Sequence, residues 1–220
     1  MEILTSELIW ERLPAKETGS KPGGTVPDDV LQRGADAILA DRLGDGIWMF
    51  AYGALIWERP YASDGERIGV LHGMARRYCL HDDRNRGTPE HPSLTLGLVP
   101  DGGACSGLAV YLAEPDLAQN FWAVWKHEMA AGFYRARWVQ VLTAAGPVEA
   151  VTFVADPLHP LFAGHLEDDA VADILAATAG PGGPAADYLR RTADAMRHRG
   201  AADPYLERLA SRVAARLGAV

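Results

Sequence analysis

Six short apolar runs occupy the middle of this chain, and a single long helical pattern interrupts them. Gly, Pro, Asp or Asn bounds each run, which is typical of short strands separated by turns. The runs cover residues 47–52, 68–79, 93–99, 107–112, 134–142 and 148–154. A wound parallel sheet would need a helix after nearly every strand, and this chain does not provide them. The pattern therefore predicts an α+β fold with a mixed sheet or a small barrel.

Helical patterns interrupt, precede and follow these strands. The long one covers residues 115–131, begins at Pro115 and is followed by Gly132, as the usual asymmetry of helix ends predicts. An amphipathic helix is expected to begin after Pro27 and to end near Gly44. Three further helices are predicted near the end of the chain, over residues 168–178, 185–199 and 204–217.

Length, charge and the first residues restrict the organisation and the partners. The chain has 220 residues, and residues 16–27 are rich in Lys, Gly, Ser, Thr and Pro. We therefore expect a flexible N-terminal arm over residues 1–27 and a single domain over residues 28–220. The formal charge of -8 argues against nucleic acid or an anionic membrane as a partner. The start of the chain lacks a signal-peptide pattern and charges interrupt every apolar stretch, which favours a cytoplasmic protein.

Sequence motifs for cofactors and metals are missing. The chain has no Walker A sequence and no G-x-G-x-x-G motif after a strand, so no nucleotide cofactor is predicted. His127 and Glu128 begin like the zinc motif H-E-x-x-H, but Ala131 stands where the second histidine belongs. We therefore expect no metal site.

The first candidate site is the stretch over residues 50–57, where an apolar strand runs into Gly53. A glycine at this point lets the backbone turn sharply and lets a ligand approach backbone N–H groups. Such a turn can bind a carboxylate. An ordinary strand-to-loop turn packed with core aromatic residues explains the same pattern.

Arginines form the second candidate site. Arg76 and Arg77 are followed closely by Arg84 and Arg86 in a chain with excess negative charge. Guanidinium groups could bind an anionic substrate through charge-assisted hydrogen bonds. Solvated arginines on a hairpin are an equally good explanation.

The third candidate is Glu128, in the last turn of the predicted long helix. Val124 and Trp125 precede it by four and three residues and therefore lie on the same side of the helix. The negative end of the helix dipole and the apolar neighbours both oppose ionisation and raise the pKa of the carboxyl. A carboxyl with a raised pKa suits general acid/base catalysis. The alternative is a glutamate that points into water beside Lys126.

Taken together, these stretches resemble the ChaC-like γ-glutamylcyclotransferases over residues 48–209. Residues 52–57, Tyr-Gly-Ala-Leu-Ile-Trp, resemble the family's Tyr-Gly-Ser-Leu-hydrophobic-Trp loop. Residues 86–89 with 96–98 resemble its Arg-Gly-Thr segment and the following strand, and residues 125–129 resemble its Trp-Lys-Arg-Glu-Met segment. Residues 156–160, and residues 180–183 followed by 187–189, complete the set in the family's order.

The resemblance implies a small mixed β-barrel ringed by helices, with a C-terminal helical segment. It implies that Glu128 is the catalytic acid/base and that the loop at Tyr52, Gly53, Ala54 and Leu55 holds a γ-glutamyl group through backbone donors. Arg86 is a candidate second anion contact, and Tyr134 is a further candidate substrate-binding residue. The implied substrate is a small molecule, glutathione, which is cleaved to 5-oxoproline and Cys-Gly without a metal or cofactor.

Three positions depart from the family pattern. Ala54 replaces a serine, His127 replaces an arginine, and Pro184 or Ala185 stands where an asparagine is expected. One alternative is therefore a cyclotransferase that acts on another γ-glutamyl amine or peptide. The other is a non-catalytic module that binds γ-glutamyl compounds.

Overall fold

The computed structural model of the protein describes residues 4–13 and 26–218. The described residues form α1 (Ser6–Arg12), α2 (Asp28–Ala40), β1 (Gly46–Ala51), a 3-10 helix (Ala54–Ile56), β2 (Gly65–Asp82), β3 (Ser93–Ala113), α3 (Leu117–Met129), β4 (Tyr134–Thr143), β5 (Gly146–Ala155), α4 (Asp168–Ala177), β6 (Ala179–Gly180), β7 (Gly183–Pro184), α5 (Ala185–Arg197) and α6 (Pro204–Leu217). No helix among them combines the length and the apolar character that a membrane crossing needs.

Five strands close into a small barrel in the order β1-β3-β2-β4-β5, and β3 also pairs with β5. β1 runs antiparallel to β3 and parallel to β5, so the barrel is mixed. β4 and β5 form an antiparallel hairpin that pairs along its whole length, from Tyr134 opposite Ala155 to Thr143 opposite Gly146. The predicted α+β class and the small mixed barrel are confirmed, with six α-helices among the described residues.

One strand prediction was wrong. The runs at residues 93–99 and 107–112 belong to one continuous strand, β3, rather than to two. The prediction placed a break at the Pro and Gly residues between the runs, because these residues usually mark turns. In the structure the intervening residues 100–104 are all exposed, and the side chain of Asp101 accepts a hydrogen bond from the N–H of Gly103. An exposed part of a strand tolerates proline and glycine because it has no core face to fill.

The described residues divide into two compact units. We call residues 26–76 and 98–159 the barrel unit, since they include β1, β4 and β5 together with α2 and α3. We call residues 4–13, 77–97 and 160–218 the helical unit, since they include α1, α4, α5 and α6.

In the helical unit, α1 contacts α5 and α6 and buries Ile9 completely. This helix lies within the predicted N-terminal arm, and residues 14–25 of that arm are outside the described residues. Ion pairs join α4 to α6 on the surface: Asp168 pairs with Arg208, and Asp169 pairs with Arg212 and Arg216.

In the barrel unit, aromatic residues hold α3 against β5. The ring of Trp125 lies 5.7 Å from Phe121 on α3 and 6.2 Å from Phe153 on β5. α2 packs against α3, and the N–H of Val26 donates to the carbonyl of Ala130 just after α3. These contacts fix the end of α3, which carries Glu128.

Candidate active site

Glu128 is the second-last residue of α3. The predicted helix over residues 115–131 is present and is shorter by two residues at each end. It ends there because Gly132 adopts φ +80° and donates its N–H to the carbonyl of Met129. Val124 and Trp125, predicted to lie beside Glu128, are buried.

The Glu128 side chain is only 13% exposed, and burial raises the pKa of its carboxyl from 4.5 to about 7. His127, whose Nε2 lies 3.8 Å from the Glu128 Oε1, opposes the shift. The Glu58 carboxylate is close enough to raise the pKa further. A carboxyl with this pKa is populated in both its protonated and its ionised form near neutral pH.

The loop after β1 is a short 3-10 turn whose first amide groups have no acceptor within the turn itself. The Gly53 carbonyl accepts from the N–H of Ile56, and the Ala54 carbonyl accepts from the N–H groups of Trp57 and Glu58. The N–H groups of Ala54 and Leu55 begin the turn, where no earlier turn provides an acceptor for them. These amides are therefore suited to bind an oxygen of a ligand.

Arg76 braces this loop from inside the barrel unit. Its side chain is almost completely buried, its Nε donates to the Tyr52 carbonyl at 2.7 Å, and its Nη2 donates to the Ser106 carbonyl at 2.7 Å. Because Arg76 is buried, the prediction of a solvated arginine is wrong at this position, whereas its role as an anion contact stays a prediction. The guanidinium ties the end of β1 to β3. The Tyr61 hydroxyl adds a second brace by donating to the Leu55 carbonyl at 2.7 Å.

Two predicted substrate-binding residues, Tyr52 and Tyr134, are buried aromatic residues of the barrel unit. The Tyr52 hydroxyl donates to the Phe153 carbonyl at 2.6 Å, so it helps to hold the scaffold. Tyr134 is the first residue of β4, and its ring packs edge-on against Phe133 with 4.7 Å between centroids. α3 contacts β4, and the Glu58 charge acts on Glu128, so the Glu128 carboxyl lies among these elements of the barrel unit.

Arg86, the remaining predicted contact, lies in the helical unit. Its Nη1 donates to the Gly182 carbonyl, its guanidinium lies 5.8 Å from the Tyr188 ring centroid, and its Nε is buried without a hydrogen-bond partner in the described part of the chain. The backbone of residues 84–86 donates to the Asp82 carboxylate. Gly182 lies close to this loop: a Cβ there would lie 1.9 Å from the Asn85 Oδ1, so any larger residue would displace the Asn85 side chain.

Metal-ligating side chains do not cluster within the described part of the chain: no group of three or more His, Cys, Asp or Glu could hold an ion there. Sequence reasoning missed Tyr61 and Glu58 as parts of this site, and it did not predict that Arg76 braces the loop. An arginine that follows an apolar strand residue gives no local signal that its side chain reaches a carbonyl 24 residues earlier in the chain.

Comparison with known proteins identifies a family and several relatives of this chain. Residues 47–216 match the family model for ChaC-like protein. A relative from Escherichia coli named glutathione-specific gamma-glutamylcyclotransferase is 35% identical over 174 residues, covering 76% of this chain and 75% of the relative. A human protein named glutathione-specific gamma-glutamylcyclotransferase 1 is 28% identical over 154 residues. This alignment covers 68% of this chain and 69% of the human protein.

The fold has a counterpart among crystal structures. A yeast γ-glutamyl cyclotransferase specific to glutathione superposes with a TM-score of 0.69 at 20% sequence identity, covering 77% of this chain and 96% of the yeast chain. At this level of identity the superposition establishes the shared fold.

Proposed function

The chain belongs to the ChaC-like protein family, and we propose that it is a γ-glutamylcyclotransferase that cleaves glutathione to 5-oxoproline and Cys-Gly. We further propose that Glu128 is its general acid/base. The main support for this role is the largely buried carboxyl at the end of α3, whose pKa is about 7 and which lies 3.8 Å from a histidine nitrogen. Perturbed pKa values of this kind are concentrated at functional sites.

The reaction is an intramolecular acyl transfer. The α-amine nitrogen of the γ-glutamyl group bonds to the γ-carbonyl carbon and forms a tetrahedral intermediate. The bond from that carbon to the cysteine nitrogen then breaks, which leaves the five-membered lactam 5-oxoproline and the free amine of Cys-Gly. No water is consumed. One proton leaves the attacking amine and one proton is added to the leaving amine.

A single carboxyl can perform both transfers. In its ionised form Glu128 accepts the proton from the attacking amine, and in its protonated form it donates a proton to the departing cysteine nitrogen. General acid/base catalysis is most efficient when the pKa of the group lies near the working pH. A pKa of about 7 meets this condition, whereas an ordinary glutamate at 4.5 would be a poor acid at neutral pH.

The loop from Tyr52 to Leu55 is proposed to hold the γ-glutamyl group in a curled conformation. Amides of Gly53, Ala54 and Leu55 would bind the α-carboxylate or the oxyanion that develops on the γ-carbonyl. Such backbone donors do not depend on the side chain at position 54, so the replacement of the family's serine by Ala54 is compatible with this role. Fixing the amine close to the carbonyl supplies the orientation that makes ring closure fast.

The remaining two residues have distinct proposed roles. Tyr134, buried at the start of β4, would form part of the wall for the methylene chain of the substrate. Arg86 is proposed as a second anion contact, which is supported by its buried Nε, a donor that has no hydrogen-bond partner among residues 4–13 and 26–218.

The test is to incubate the purified protein with reduced glutathione, without added metal or nucleotide, and to quantify products by mass spectrometry. Equimolar 5-oxoproline and Cys-Gly are expected. A panel of other γ-glutamyl amines and dipeptides is run in parallel. If another donor is converted faster than glutathione, that donor is the preferred substrate and the assignment of glutathione is wrong. If no donor is converted, the proposed catalysis is contradicted and the non-catalytic binding module is favoured.

A further inference from the structure

A cavity of about 620 Å³ lies in the barrel unit, at the opposite end of β1 from the loop at Tyr52–Leu55. The first residues of β1 and of β5 line it, and these two strands run parallel, so their first residues share one end of the barrel. The loop follows the last residue of β1. The length of β1 corresponds to about 16 Å between the two sites. The proposed reaction makes no use of this cavity.

Arg67 is the distinctive group in the cavity wall. Its guanidinium lies over the Trp48 ring, 4.6 Å from the centroid. Within residues 4–13 and 26–218, no carboxylate or carbonyl oxygen pairs with it. By contrast, Arg42 in the same wall is paired with Glu114 and donates to a backbone carbonyl. The N–H groups of a guanidinium point outward in its own plane. When the guanidinium lies over an aromatic ring, its edge therefore remains able to bind a carboxylate with two hydrogen bonds.

The neighbouring aromatic residues provide an apolar wall. Trp48 and Tyr111 are cross-strand partners on β1 and β3, and their ring centroids lie 5.0 Å apart. Trp138 on β4 also lines the cavity, and its indole Nε1 is buried without a hydrogen-bond partner among the described residues. Ligand sites commonly combine aromatic walls with a few polar groups in this way.

The charges around the cavity favour a ligand with one negative charge. The Glu66 carboxylate is paired with Arg59, and the Asp64 carboxylate accepts the N–H of Ala113. Glu149 in the wall is exposed to solvent. Among the described residues of the wall, Arg67 is thus a cation without a counterion, and the nearby carboxylates would repel a doubly charged phosphate more strongly than a carboxylate.

We propose that this cavity is a second ligand site that binds an organic monocarboxylate with a flat apolar body. The carboxylate pairs with the Arg67 guanidinium, and the apolar body lies against Trp48 and Tyr111. The site is independent of the proposed cyclotransferase reaction, so each can be tested without the other.

The experiment is isothermal titration of the full chain with phenylacetate, with phenylacetamide and phenyl phosphate as comparison probes. Saturable binding of phenylacetate at one site is expected, about tenfold or more tighter than binding of the neutral amide. Absence of saturable binding, or equal affinity for the amide, would overturn the proposal. Tighter binding of phenyl phosphate would overturn the assignment to monocarboxylates.

Variants locate the binding. Arg67→Gln is expected to weaken phenylacetate binding about tenfold or more and to leave glutathione turnover unchanged. Arg67→Lys keeps the charge but loses the planar fork, and an intermediate loss is expected, which keeps the test valid if the glutamine variant folds poorly. Arg137→Gln, at an exposed arginine on β4, is the matched control and should bind like the wild type. Unchanged affinity in folded Arg67 variants would overturn the site.

Discussion

Two carboxyl groups in this protein have pKa values that shift in opposite directions. The Glu128 side chain at the end of α3 is 13% exposed, and burial raises its pKa to about 7. The Asp169 side chain on α4 is 65% exposed, and hydrogen bonds from Arg216 and Arg212 lower its pKa. The fold therefore stabilises the ionised form of Asp169, whereas it destabilises the ionised form of Glu128. A carboxyl held in a position that penalises its ionisation is more readily explained by chemistry than by stability.

The largest expected effect is on turnover. Glu128→Gln keeps the shape of the side chain but cannot transfer protons, so kcat for 5-oxoproline formation should fall by about 10²–10⁴. Asp169→Asn removes an exposed carboxylate that is paired with arginines, and it should leave kcat unchanged. Product formation by mass spectrometry, with circular dichroism to verify folding, distinguishes the two. A Glu128→Gln enzyme that keeps its kcat would contradict the assigned role.

The next largest effect is expected on the free energy of unfolding, which Glu128 should lower at alkaline pH. Glu128 holds its proton up to about pH 7 in the folded state but releases it near pH 4.5 when unfolded. Folding therefore takes up a proton between these values, and the stability of the wild type decreases as the pH rises through this window. Glu128→Gln lacks this penalty and should be more stable at pH 8 by at most about 3 kcal/mol.

Urea unfolding at pH 8 and at pH 5 measures this difference. Most of the advantage of Glu128→Gln should disappear at pH 5, because the wild-type carboxyl is then protonated in the folded state. Equal stability of the two proteins at pH 8 would mean that Glu128 ionises without penalty.

A smaller effect, on the pH dependence of kcat/KM, is expected when Glu128 receives a permanently charged cationic neighbour of the kind that Asp169 has. His127→Arg places a group beside the carboxyl that stays charged at every working pH. The pKa of Glu128 should fall, and the acidic limb of the kcat/KM profile should move to lower pH by a fraction of a unit. His127→Gln removes the opposing charge, so its profile should not move in that direction. Identical profiles for the arginine variant and the wild type would show that this contact does not influence the carboxyl.

The smallest effect is expected at the surface. The pKa of Asp169 is lowered in the folded state, so its ionisation stabilises the fold above the unfolded value of 3.8, and this gain is lost as the pH falls through the folded pKa. Asp169→Asn should therefore lower the melting temperature slightly at pH 7, and added salt should reduce the difference because exposed pairs are screened. A change of the opposite sign would contradict the comparison with Glu128.

Helices with strong end signals could be predicted from the sequence. α6 begins at Pro204 after the cap residue Asp203 and ends before Gly218, as the local pattern indicated. The burial of Glu128 could also be predicted, because the apolar residues Val124 and Trp125 precede it on the same helical face. Both inferences use residues within a few positions of each other, where the geometry of a helix decides which side chains meet.

Contacts between distant segments could not be predicted in this way. The bond from Arg76 to the Tyr52 carbonyl and the influence of Glu58 on Glu128 arise only when the barrel closes. α1 was missed because seven residues give too little periodicity, although Thr5 acts as its cap by accepting from the N–H of Leu8. Local pattern therefore predicted the catalytic candidate, but not the residues that brace the loop or tune the carboxyl.

The most direct test of the central claim is a titration of the Glu128 carboxyl itself. Carbon-13 NMR of protein labelled at its glutamate side chains follows each carboxyl across pH 3 to 9, and the spectrum of Glu128→Gln identifies the resonance by its loss. We predict a midpoint of about 7 for Glu128. A midpoint near 4.5, the ordinary value, would contradict its assignment as the acid/base.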